Sequence, residues 1–113
     1  MGFKNLNRKE KERYEELAKI LKALAHPSRV FVVEELAKGE RCVCELVEMI
    51  GDDFSTVSKH LALLKNAGLV ASEKRGNNVY YSLRTKCLDQ LLNCVEKALL
   101  ENAHRQLRVM KRG

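Results

Sequence analysis

No apolar run in this 113-residue chain approaches the roughly 20 residues that a membrane-spanning helix needs. The N-terminal stretch MGFKNLNRKEKERYEELAKI lacks the uninterrupted apolar segment of a secretory leader, so a cytoplasmic location is expected. There is no Gly/Ser linker, internal repeat or low-complexity tract, which leaves one continuous domain over 1–113. No Ser-His-Asp arrangement, phosphate-binding glycine loop or HExxH motif is present, and an enzyme is not expected. Four cysteines could frame a disulfide scaffold, but 45% hydrophobic residues can build a core without one. The thiols are expected to be reduced, free to act as core filler, metal ligands or redox sensors.

The charge that is present is unevenly spread. Lys and Arg number 21 against 15 Asp and Glu, giving a net charge of +6. Residues 34–53 hold Glu34, Glu35, Glu40, Glu45, Glu48, Asp52 and Asp53 against Lys38 and Arg41 alone. Residues 55–86 reverse this, with Lys59, Lys65, Lys74, Arg75, Arg84 and Lys86 against Glu73 alone. A basic central segment is where a polyanion-binding surface is sought, although a solvated face would look the same.

Apolar spacing predicts a helix over 10–24 and another over 27–38, opened by Pro27 and closed by Gly39. A short third helix is expected over 43–50, ending at Gly51. A fourth, with Ser55 as its cap, carries Val57, Leu61 and Leu64 to Gly68. Two β-prone runs, 69–74 and 79–83, flank Arg75-Gly76-Asn77-Asn78 as a hairpin, and a leucine-rich helix begins at about Thr85. Two short helices followed at once by a basic hairpin describe a winged helix-turn-helix, a mainly α fold with a β-hairpin wing. DNA is therefore the expected partner. The last helix has a longer leucine stripe than a small domain needs, and a homodimer would cover the excess.

Three segments together resemble the ArsR/SmtB metal-sensing transcriptional repressors: LKALAHPSRV (21–30), STVSKHLALLKNAGLV (55–70) and KRGNNVYYSL (74–83). The resemblance runs from about Leu17 to Leu100, within a family-type core of about 10–108. It implies a homodimer paired through its first and last helices, and repression of a metal or metalloid detoxification operon until an inducer binds. A two-fold dimer would place its recognition helices about one DNA turn, ~34 Å, apart on an inverted-repeat operator.

On the recognition helix, Ser55, Thr56, Ser58, Lys59, His60 and Lys65 are the DNA-contact candidates; on the wing they are Lys74, Arg75 and Asn77. Ser55 serves equally as a helix cap. His60 is placed either to donate to a phosphate or to bond within the domain.

Cys42-Val43-Cys44 resembles the CVC motif of the arsenic-sensing branch, a soft-ligand clamp for As(III), Sb(III), Cd(II), Pb(II) or Zn(II). Residues i and i+2 lie ~200° apart on a regular helix, so a shared ion requires the first turn to be irregular or to unwind. Where the arsenic branch has a third cysteine this chain has Val47, and residues 1–41 contain none. The zinc branch uses Asp, His, His and Glu between its last helices; the matching positions are Thr85, Cys87, Ala98 and Glu101. Cys87 or Cys94 could complete the CVC site within a dimer, or simply fill the helix stripe. No constitutive cofactor is implied, and arsenite is placed first on the motif. The flanking Glu40 and Glu45 keep divalent ions open as inducers, and a cysteine-based redox or reactive-sulfur sensor shares the fold.

Overall fold

The structure, a computed structural model, describes residues 2–112. After a 3-10 turn at Phe3–Asn5 come α1 (Arg8–Leu24), α2 (Pro27–Lys38), β1 (Arg41–Cys42), α3 (Val43–Ile50) and α4 (Phe54–Asn66). β2 (Val70–Arg75), β3 (Asn78–Leu83) and α5 (Leu88–Arg112) complete the chain. This is a winged helix-turn-helix, and none of the described helices is long and apolar enough to cross a membrane.

Local chemistry sets most boundaries. Asn7 opens α1 by accepting the Glu10 N–H at 2.9 Å. At α2 the cap is the His26 ring, whose Nδ1 accepts from the Ser28 N–H at 3.1 Å, with Pro27 as the first helical residue. Gly51, at φ 84°, ends α3 in the left-handed conformation that a side chain would resist. Ser55 is not the cap of α4. The helix begins earlier, because the Asp53 carboxylate accepts the Thr56 N–H at 2.7 Å and suits the positive end of the helix dipole.

Leu46 of α3 and Val57, Leu61 and Leu64 of α4 are fully buried with Val32 and Val33 of α2, fixing the recognition helix against both neighbours. The wing is pinned beneath them: β2 and β3 are antiparallel, Val70 opposite Leu83 and Arg75 opposite Asn78. Gly76, at φ 62°, makes the turn alone, since no non-glycine residue described has positive φ.

Two further features depart from expectation. The wing sheet has a third strand, β1, in the order β1-β3-β2, with Arg41 opposite Tyr81 and Cys42 opposite Tyr80. A two-residue strand leaves no alternation to read. The last helix starts at Leu88 rather than Thr85: a turn closed by the Leu88 N–H on the Thr85 carbonyl at 3.2 Å carries the chain off β3.

Beyond Leu88 and Leu92, which pack on the core, α5 is left uncovered by the rest of the chain, as is the outer side of α1. Tyr14, Leu17 and Leu21 on α1, and Leu91, Val95 and Leu99 on α5, are exposed at helical spacing.

Candidate nucleic-acid interface and effector site

The exposed side of α4 presents Ser55, Thr56, Lys59 and Lys65, with Ser58 half-buried beside them. The Thr56 N–H and hydroxyl, with a smaller contribution from the charge of Lys59, hold the Asp53 carboxyl below its ordinary range. Lys65 donates to the Ser72 hydroxyl at 2.7 Å, tying the end of the recognition helix to β2. His60 turns inward. Its ring lies 4.3 Å from that of His26, and its Nδ1 is buried without a partner among the described residues. Burial, then the charges of His26 and Arg29, push the His60 imidazole below its ordinary value.

Lys74, Arg75 and Asn77 are all exposed at the wing tip, but Arg75 is not free. Its guanidinium forms a fork on Glu40, at 2.6 and 2.7 Å, and also donates to Glu73 at 3.0 Å. It lies over the Tyr80 ring, 4.8 Å from the centroid. These carboxylates hold Arg75 charged well above its ordinary range. The sequence contains no local signal for this contact, because Glu40 and Arg75 are 35 residues apart.

At the CVC pair the backbone is already irregular. Cys42 is the cap residue of α3, with extended backbone at φ −72° and ψ 146°, while Cys44 stands inside the first turn. The 200° separation of a regular helix therefore does not apply. The two thiols interact: hydrogen bonding with Cys42, followed by burial and the charge of Cys42, pushes the Cys44 thiol above its ordinary value. Cys42 is buried and Cys44 exposed, so the pair opens outward on one side.

The acidic flank is largely paired. Glu45 reaches back to accept the Cys42 N–H at 3.0 Å and receives Arg41 at 3.3 Å, which keeps it ionised below the usual range. Arg41 also meets the buried Glu35 at 3.5 Å, and Glu40 is engaged by Arg75. Cys87 and Cys94 are exposed on the approach to α5 and on α5 itself. Among the described residues no three His, Cys, Asp or Glu side chains are grouped to hold an ion, so one protomer brings two thiols to the site and no third ligand. Thr85, Cys87, Ala98 and Glu101 likewise form no such group.

The family model described as bacterial regulatory protein, arsR family, matches residues 26–72, from the cap of α2 into β2. A cadmium resistance transcriptional regulatory protein homolog of Staphylococcus aureus is 43% identical over 86 residues, covering 75% of this chain and 69% of that protein. The arsenical resistance operon repressor of Staphylococcus xylosus is 38% identical over 78 residues, 69% of this chain and 75% of its own. Among solved structures, a homodimeric winged helix-turn-helix DNA-binding domain from Mycobacterium bovis superposes with a TM-score of 0.76 at 27% identity. That match covers 89% of this chain and 94% of the other.

Proposed function

The chain belongs to the arsR family of bacterial regulatory proteins, and from that premise we propose that it is a homodimeric repressor released from its operator when a thiophilic ion binds Cys42 and Cys44. It is a DNA-binding transcriptional regulator and not an enzyme. Thr56 and Ser55 face the major groove of an inverted-repeat operator, Lys59, Lys65 and Lys74 its phosphates, and Asn77 the neighbouring groove. Ser58 supports them from the half-buried edge, and His60 holds the helix in place.

The observation that carries the sensing role is the extended cap conformation of Cys42, which lets two thiols two residues apart act together. Arsenite is the first choice of inducer. Its trihydroxide condenses with two thiols, forming two As–S bonds and releasing two waters, with one hydroxide kept as third ligand. This needs no prior loss of thiol protons, which suits a Cys44 held protonated above its ordinary range. A divalent ion must instead displace two protons. Pairing of Glu40 and Glu45 with arginines also reduces the field that would attract a cation. The cadmium-named relative supports Cd(II) as the second reading.

The test is operator release from the reduced protein on titration with arsenite, cadmium and zinc, with Cys42→Ser/Cys44→Ser as control. Release by arsenite in the wild type alone is the expected result. Release by cadmium or zinc only keeps the repressor and changes the inducer. Release by oxidant only replaces ion sensing with a redox switch.

A further inference from the structure

The register of the wing sheet puts a specific set of side chains on one face. Residues directly opposite in an antiparallel pair share a face, as do residues two apart on one strand. Tyr81 packs against the core cluster together with the buried Val70 and Leu83, so that face of the sheet is the inner one. Tyr80 is therefore outward, and so are its two opposite numbers, Glu73 on β2 and Cys42 on β1. Arg75, two residues from Glu73, and Glu40, two residues before Cys42, fall on the same outer face. The contacts agree: Arg75 arches over the Tyr80 ring to fork onto Glu40. Cys42 is buried yet lies outside the main core cluster, as a residue covered from the outer face would.

We infer that Glu40 is a positioning residue that couples the CVC pair to the wing, through its fork on Arg75 across the face of Tyr80. Strand β1 is only two residues long and ends at Cys42 itself, so an ion that shifts Cys42 on binding shifts that strand with it. The backbone pairing of β1 with β3 passes the displacement to Tyr80 and Tyr81, and the Glu40–Arg75 fork passes it to the wing tip. The fork has the geometry of a specific tether. Two parallel bonds fix the plane of the guanidinium, and the aromatic face beneath fixes its height. Both partners are part-exposed, 39% for Glu40 and 46% for Arg75, so the fork adds little to the stability of the fold. Glu73 also binds Arg75 but stands on the same strand, so it cannot carry a displacement from β1.

This rests on the ion-sensing reading, and the experiment separates the two. Operator affinity is measured with and without Cd(II) and arsenite for the wild type, Glu40→Gln, Glu73→Gln and Cys42→Ser/Cys44→Ser. Ion binding is followed separately by thiolate-to-metal absorption. The expected result is that Glu40→Gln binds ions and ion-free operator as well as the wild type. Its ion-induced loss of operator affinity, however, is smaller by about five- to ten-fold, within the usual range of coupling between sites. Glu73→Gln keeps the full wild-type response. A full response in Glu40→Gln overturns the tether, as does an equal loss in Glu73→Gln, which would trace the effect to the charge on Arg75 alone. If the wild type itself fails to respond to any ion, the sensing reading falls and the tether with it.

Discussion

His60 shows how a single side chain on the recognition helix ties function to packing. Its ring leans against that of His26 at a 44° tilt, and His26 is itself the cap of α2, so protonation would set charge against Arg29 and against the positive end of that helix. Asp52 is the one nearby group that favours the cation, and it is outweighed. Because the folded value lies below the ordinary 6.5, the unfolded chain takes up this proton first as pH falls. Stability from neutral His60 is therefore full above that value and is lost on acidification below it. We expect His60→Gln to show a smaller drop in thermal midpoint between pH 7.5 and pH 5.5 than the wild type. Equal drops in the two proteins would show that His60 does not report on this equilibrium. The cap at α4 teaches a related lesson. Ser55 and Asp53 both have side chains suited to capping, and the choice falls on the carboxylate, whose charge the helix dipole rewards.

At the scale of elements, what could be read from the chain followed the range of the interactions. The helix-turn-helix and the wing were legible because apolar spacing and turn glycines act over a few residues, and Leu46, Val57 and Leu61 stand where periodicity put them. β1 was not legible, since two residues have no period, and neither was the Glu40–Arg75 fork, whose partners only the fold brings together. The CVC pair was legible as chemistry but not as geometry: spacing alone could not say that Cys42 lies outside the helix. The stripe on α5 was legible too, and the fold leaves it uncovered. Leu99 is 66% exposed in the protomer, so Leu99→Glu should fold normally. Across a two-fold axis it would bury paired like charges, costing about 2–4 kcal/mol of dimer stability, or roughly 30- to 1,000-fold in dissociation constant. Sedimentation at micromolar concentration is expected to show monomers for Leu99→Glu and dimers for the wild type. A dimeric Leu99→Glu would place the interface elsewhere.

The whole molecule has the shape of half an assembly. Its radius of gyration is 18.0 Å, against about 13 Å for a compact chain of this length. The excess comes from α5, whose 25 residues span ~37 Å and extend beyond the winged core. Pairing two such chains through α1 and α5 would double a net charge of +6 and set two α4 helices toward successive turns of a duplex. Association should then be steered by charge and weakened by salt, with log affinity falling linearly against log salt. Lys59 is the cation on the exposed side of α4 closest to its N-terminal end, where it meets either a phosphate or a base edge. These two roles leave different traces. If each Lys59 neutralises one phosphate, Lys59→Ala makes the salt slope shallower by about 2 per dimer and weakens all operator variants alike. If it reads a base, the slope hardly moves and discrimination at one position in each half-site is lost. The first outcome is expected, because Lys59 stands within the first two turns of α4, close to the helix N-terminus where phosphate oxygens dock. Titrations of the wild type and Lys59→Ala at several salt concentrations, on the operator and on a half-site variant, decide between them.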